Sequence, residues 1–592
     1  MRKTILFAII FLAMGATAFG QVSLNLVGTY RTNIFDDSAA EIVAFDSASQ
    51  RLFVVNGADA TVDILDISTP TTPTLVSQVD VTPYGENANS VASYGGFIAA
   101  AIKDSTVGGN GTVAFLDNTG MVVNTVKVGV LPDMAIFSPN GNWLLTANEG
   151  EPSDDYTIDP LGSVSIIDVS GGIANVTQAD VTTLDFTAFN SATLDPSIRI
   201  FGNNGTATVA EDLEPEYIAI SPNSQTAYVV CQENNALAVV DINAKSISTV
   251  LGLGFKDHNA AGNGIDASND AVAVNIANWP IKGMYQPDAI TQFATAGSFY
   301  LITANEGDAR DYDAYSEEVR VRDLNLDATA FPNAALLQED TLLGRLRCTD
   351  ATGDTDNDGD FDEIYSFGAR SFTIWDSAGN LVYDSGDEIE QRTLSALPAQ
   401  FNSNNDDNDS YKSRSDDKGP EPEAVTVATI NGKVLAFIGL ERIGGIMVYD
   451  VTDPTAPIFE TYYNNRNFSV DADSSAAGDL GPEGLLYIPA TAGLGNHLLV
   501  SANEISGTVS LYSIDVPVSV TSATETRYLN IYPNPAGDKL HLSQPVPGKV
   551  IDLQGRMLLR SEGARTLDLR GLTPGMYLFR AYDGTNKKFI HQ

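Results

Sequence analysis

The chain has 592 residues, 43% of them hydrophobic, with 50 Gly, 26 Pro, 2 Cys and 4 His. This is the composition of a large, turn-rich globular protein, and two cysteines cannot build a disulfide framework. A formal net charge of −43 argues against nucleic acid and anionic membrane surfaces as partners.

Residues 1–20, "MRKTILFAIIFLAMGATAFG", combine a basic start at Arg2 and Lys3, an apolar run and small residues at Ala18 and Gly20. They read as a secretory signal peptide cleaved before Gln21. No later stretch has about eighteen consecutive apolar residues, so no transmembrane segment is expected in the mature protein.

A module then recurs through residues 21–515. Two weaker copies begin at Ala40 ("AEIVAFDSASQRLFVVNGADATVDILDI") and Asn89 ("NSVASYGGFIAAAIKD"). Five stronger copies begin at Pro132, Pro215, Pro287, Pro422 and Pro482. Each strong copy opens on Pro followed by an acid and later reaches an Ala-Asn-Glu-like element, as in "LLTANEG", "LITANEG" and "LLVSANE". The Pro-to-Glu offsets are 17, 18, 19, 19 and 22 residues. Each copy reads as a short apolar strand, a Gly/Asn/Ser turn, a second strand ending near Asn-Glu, and an alternating third strand such as "TVDILDI" or "IMVYDV". A fourth strand is expected in the variable sequence between copies. Such units bury their faces only by stacking, and seven four-stranded units predict an all-β, seven-bladed β-propeller. The alternative, a β-helix, has much shorter rungs.

Two long insertions are expected after Asn-Glu elements, at 151–213 and 308–419. Within the second, "GDTDNDGDFDE" places Asp354, Asp356, Asp358, Gly359 and Asp360 like the first half of an EF-hand-type loop. Alternating acids turn oxygen ligands inward and Gly permits the sharp turn, so calcium is the expected cofactor. Position twelve is Tyr365 instead of Glu, so Asp362 or Glu363 would have to complete the site. The competing reading is a solvated acidic loop. Net charge changes sign near the linker at 516–527. From Thr524 onward ten Lys and Arg face six Asp and Glu, a net of +4, leaving −47 for the rest. A separate small β-sandwich is expected over 528–592.

Adjacent antiparallel strands bring the start of the first strand and the end of the second to one face. An acidic rim is therefore expected from Asp133, Glu149, Glu216 and Glu233, then Asp288 and Glu306, then Glu421, Glu423 and Glu441, and finally Glu483 and Glu504. Glu214 belongs with them. Any one member has an ordinary explanation in turn and strand-start chemistry. As a ring, the like charges persist most easily beside cations, and Arg310, Arg414, Lys418 and Arg442 stand near them in sequence. No H-E-x-x-H, C-x-x-C-H, G-x-S-x-G or P-loop motif occurs. Catalysis would have to be acid-plus-metal chemistry, with Glu306, Arg310, Glu421, Glu423 and Arg442 as candidates.

Taken together, "TANEGDARDYDAYSEEVRV", "GDTDNDGDFDEIYSFGARSFTIWD", "SRSDDKGPEPEAV", "GLERIGGIMVYDVTDP" and "GPEGLLYIPA" resemble the choice-of-anchor I family. These are secreted bacterial relatives of mesenchyme-specific cell-surface glycoproteins. The resemblance implies a seven-bladed propeller exported with interchangeable C-terminal modules. Animal relatives are linked with calcium mineral, and some relatives carry a weak alkaline phosphatase label. The family offers no catalytic residues to carry over. "LNIYPNPAGDKLHLS" and "LTPGMYLFR" resemble the type IX secretion C-terminal sorting domain. That resemblance implies the type IX machinery as a partner and an extracellular or outer-membrane-surface location. The expected function is a surface propeller that binds calcium and presents its acidic face to a cationic or metal-bridged extracellular ligand. The alternative is a calcium-dependent phosphohydrolase using the same face.

Overall fold

The computed structural model describes residues 21–270, 273–517, 529–582 and 586–592. The expected signal peptide and nearly all of the expected linker lie outside the described residues. Two compact units divide at residue 517.

In the first unit, seven four-stranded antiparallel sheets are found among the described residues. Six are built from consecutive stretches of chain: blade one from Val43 to Asp80, two from Ala88 to Val130, three from Pro132 to Asp185 and four from Ile218 to Gly252. Blade five runs from Ala289 to Asp384 and blade six from Pro422 to Tyr463. The inner strand of every blade contacts that of the next, and the seventh contacts the first, so the sheets form a closed ring around an axis.

Blade seven is assembled differently. Its three inner strands, Pro482–Ile488, Leu498–Asn503 and Thr508–Asp515, are completed by the strand Ser23–Arg31, which pairs antiparallel with Thr508–Asp515. The ring is thus closed by strand pairing between its two chain ends. Non-local closure of this kind leaves no local sequence signal.

Each sheet packs against two neighbours, so seven separate apolar cores lie between blades. Phe53, Ile64 and Ile98 fill the gap between the first two, and Leu52, Val500 and Leu511 the gap between the seventh and first. This explains why second strands such as Trp143–Asn148 are apolar on both faces instead of alternating: Leu144 points into one inter-blade core and Leu145 into the other.

The expected insertions are shorter than the sequence suggests. Ser163–Asp168 and Val181–Asp185 inside the first, and Ser371–Asp376 and Leu381–Asp384 inside the second, are the outer strands of blades three and five. What truly leaves blade five spans 306–370. The departure and return are pinched together at Gly307 (φ +94°), where a Cβ would lie 2.2 Å from the amide nitrogen of Gly368. This excursion joins residues 265–281 in an accessory core of Trp279, Val321, Phe331, Leu343, Leu346 and Ile364. Cys231 and Cys348 are both buried and free, in different cores.

The second unit is a small β-sandwich. A three-stranded sheet (Ile531–Tyr532, Lys539–Leu542, Thr566–Asp568) faces a four-stranded sheet (Pro547–Ile551, Met557–Glu562, Gly575–Ala581, Asn586–His591) across Leu540, Val550, Leu569, Phe579 and Phe589. Among the described residues, no helix is long and apolar enough to cross a membrane.

Candidate functional site

The recurring Ala-Asn-Glu element divides its labour. The Asn is structural. Asn148, Asn305 and Asn503 are buried within their blades, and a hydroxyl two residues earlier (Thr146, Thr303, Ser501) donates to each amide oxygen at 2.8 Å. The amide nitrogen donates across to third-strand hydroxyls, at 3.1 Å to Ser165, 2.8 Å to Thr373 and 3.1 Å to Thr508. A buried polar ladder so satisfied holds the second and third strands in register. The following Glu leaves the sheet. Its backbone N–H is held by the carbonyl of the residue preceding the Pro: Glu149 donates to Leu131, Glu441 to Glu421 and Glu504 to Gly481, at 2.8–3.0 Å.

Outside blade five, the residue at the start of the inner strand is aimed by a β-bulge. In blades two, three, six and seven the register of the first strand slips at Asn89, Asp133, Glu423 and Glu483. In blades one and four, single residues (Val55 and Val230) bond two successive residues of the inner strand, Glu41–Ile42 and Glu216–Tyr217. An extra residue in a strand turns its side chain out of the alternating pattern. Here it turns toward the axis. The Tyr217 phenol is raised by burial and then by Asp288, Asp133, Glu483 and Glu423, so acids from four different blades converge around one side chain. A cavity of about 350 Å³ lies among them, lined by Glu41, Asn89, Asp133, Tyr217, Asp288 and Glu483. A more open hollow of about 500 Å³ lies to one side, between Lys103, Asp104, Glu151 and Asp154.

The acids fall into two populations. Glu421 is fully buried and bound by Arg414 at 2.7 Å, Arg442 at 2.9 Å and Lys418 at 3.3 Å. Burial opposes its ionisation, but these three cations outweigh burial and pull its pKa down. Arg442 also holds Glu441 at 2.9 Å, and Lys418 pairs with Glu306. Arg310, 1% exposed, is locked between Asp212 and Glu214 beneath the rim. All four basic residues singled out by sequence proximity therefore pair with acids of this face or just below it.

The acids at the starts of the inner strands differ. Among the described residues no Lys, Arg or His lies within ion-pair distance of Glu41, Asp133, Glu216, Asp288, Glu423 or Glu483. Glu216 and Glu423, 7% and 5% exposed, each bury one carboxylate oxygen with no hydrogen-bond partner, as does Glu233. Burial, and after it the neighbouring acids, pushes Glu216, Asp288, Glu423 and Glu483 well above the carboxylate range. Glu41 and Asp133 are each raised to about 7. Glu149 and Glu504 are raised too, by burial first.

A family profile described as the choice-of-anchor I domain matches residues 41–454. The chain belongs to the choice-of-anchor I family. The profile of the secretion system C-terminal sorting domain matches residues 530–592, so this choice-of-anchor I protein is exported by type IX secretion to the cell surface or medium. It is 32% identical over 190 residues to Gigasin-3a of Magallana gigas, covering 30% of this chain and 66% of that protein. It is 28% identical over 353 residues to a mesenchyme-specific cell surface glycoprotein of Strongylocentrotus purpuratus, covering 53% and 42%. The chain thus spans less than two thirds of either relative. Among solved structures it is similar to a Kuenenia stuttgartiensis hydrazine synthase (12% identity, TM-score 0.41, 81% of this chain and 96% of that one). It is also similar to the Cps50 (Swd1) β-propeller domain of Myceliophteria thermophila (10%, 0.40, 83% and 100%) and to a streptogramin B lyase (9%, 0.41, 84% and 100%). The fold rests on the strand pairing above, not on these likenesses.

In the choice-of-anchor I domain the acidic loop at 354–362 gathers two clusters. Asp354, Asp356 and Asp362 offer oxygens within 4.8 Å of one another, as do Asp327, Asp360 and Asp362. Asp358 joins neither cluster, and Glu363 is bound by Lys282 at 2.6 Å. Asp327 stands far from the loop in sequence and has no motif to reveal it. Glu41 escapes the rim pattern because Ala40, not Pro, precedes it. Blade two breaks the pattern outright, with Asn89 and Lys103 where other blades carry acids.

Proposed function

We propose that this is a surface propeller that binds calcium and uses its acidic mouth to hold a cationic or metal-bridged partner outside the cell. The observation that carries the reading is the set of six carboxylates at the starts of inner strands, five of them aimed by a bulge, at one end of the axis with no basic partner. Buried, uncompensated carboxylates are costly, and a fold retains them most easily where a cation from outside supplies the missing charge. The loop at 354–362 supports a second calcium role, as a staple for the accessory subdomain.

The test is retention of the purified protein, residues 21–592, on carboxylate-coated beads with calcium and with a chelator. Retention is expected only with calcium, and weaker after Glu216→Gln plus Glu483→Gln. Retention indifferent to calcium and to those substitutions contradicts the reading. Lys418, set between Glu306 and Glu421 beside the unpaired acids, favours the hydrolase alternative, since a Lys next to bound cations can receive a phosphoryl oxygen. Calcium-dependent hydrolysis of a phosphate monoester, lost in Glu306→Gln or Glu421→Gln, would replace the binding reading with that one.

A further inference from the structure

The same distance criterion singles out two carboxylate triads on the axial face, and their surroundings tell them apart. Glu306, Glu421 and Glu441 lie within 4.8 Å of one another. That triad already has its counter-charge, because Arg414, Lys418 and Arg442 occupy Glu421 and Arg442 also holds Glu441. The second triad is Asp288, Glu306 and Glu423. It has one cation, Lys418, on one oxygen of Glu306, while Gln232 donates to the other oxygen at 2.9 Å. Asp288 and Glu423 have none, and one oxygen of Glu423, in a side chain 95% removed from solvent, has no partner at all.

We propose that the propeller axis holds a resident divalent cation of the calcium class, coordinated by Asp288, Glu306 and Glu423. This rests on, and deepens, the calcium-binding reading above: it places a cation in the propeller itself, apart from the 354–362 loop. The donor set is oxygen only, which suits a hard cation and not zinc, whose sites draw on His and Cys. Gln232 and Lys418 each hold one oxygen of Glu306, the kind of outer support that orients a metal-ligating carboxylate. Glu423 stands at the register slip that opens the inner strand of blade six, and Asp288 directly precedes the inner strand of blade five, Ala289–Thr295. Calcium takes six to eight oxygens, and the adjoining cavity leaves room for water or for an oxyanion of the partner to complete the shell.

The competing state is a pair of carboxyls sharing a proton. Asp288 and Glu423 approach closely enough for that, and the two states predict opposite responses to an isosteric amide. The experiment measures bound calcium per protein and the calcium-induced shift in melting temperature. It uses residues 21–592 as wild type, Glu423→Gln, Asp288→Asn, and a loop variant with Asp354→Asn plus Asp356→Asn. Wild type is expected to carry at least one calcium more than Glu423→Gln or Asp288→Asn, with affinity at the axial site weakened by at least about tenfold. In chelator both axial variants are expected to melt no lower than wild type, since a buried charge has been removed; this also shows that they fold. The loop variant is expected to keep the axial calcium. If the axial variants retain the wild-type calcium content while the loop variant loses it, the axial site is refuted and the calcium-binding reading stands. If wild type binds no calcium, both fall.

Discussion

Raising the pH from about 5 to about 8 in the presence of a chelator is expected to destabilise the propeller. The perturbed groups are Glu41 and Asp133, raised from 4.5 and 3.8 to about 7 in the folded protein. Burial is the largest cause for both. Glu41 also feels Glu504 and Asp133, eased by Ser38 and Lys103, while Asp133 feels Glu151, eased by Asn89. Between the unfolded and folded pKa values the native state holds more protons than the unfolded chain, so stability falls with rising pH across that window and levels off above it. Each pKa unit is worth about 1.4 kcal/mol, which makes each group's share roughly 3 kcal/mol. The two repel one another and do not simply add, so a total loss of about 3–5 kcal/mol is a fair expectation. For a unit of roughly 500 residues that corresponds to a fall of about 3–5 °C in melting temperature. Scanning calorimetry at stepped pH, with chelator and with calcium, reads it directly. Calcium should flatten the dependence, because a bound cation supplies the charge that protons supply at low pH. A melting temperature that rises from pH 5 to 8 in chelator would mean that Glu41 and Asp133 are not held protonated by burial.

Other consequences are simpler to check. Asn305→Ala breaks the buried ladder from Thr303 to Thr373 and should cost about 2–3 kcal/mol in denaturant unfolding; a neutral effect would mean the Asn is not what registers the blade. Chelation should lower the melting temperature of the Asp354→Ala plus Asp356→Ala variant less than that of wild type; equal losses would remove the loop as a calcium staple. Deleting residues 524–592 should leave the protein in the periplasm by cell fractionation, and normal surface display without the tail would contradict its sorting role.

The repeat was legible because its two functional residue types recur at near-constant offsets: a Pro that starts a strand and a Glu that leaves one. Pro132-Asp133 and Glu149 sit where that spacing puts them, at one end of blade three. The bulge that aims Asp133 was not legible, since a register slip is a property of strand pairing and not of composition. The separation of Asn148, a buried strut, from Glu149, an axial acid, was hidden for the same reason: both are polar, and only the third-strand hydroxyls of Ser163 and Ser165 show which one faces inward. Strand Ser23–Arg31 closes the ring with a partner almost the whole domain away, a contact no local pattern encodes. The outer strands of blades three and five look like insertion in the sequence because long excursions cut them off from the strands they pair with. "SVSIIDV" and "SFTIWDS" nevertheless have the alternating form of "TVDILDI".

Whether the propeller axis is a cation site can be read from diffraction by crystals soaked in terbium, a calcium substitute with strong anomalous scattering. An anomalous peak is expected about 2.3–2.6 Å from oxygens of Asp288, Glu306 and Glu423. Peaks confined to the 354–362 loop, with none on the axis, would contradict it.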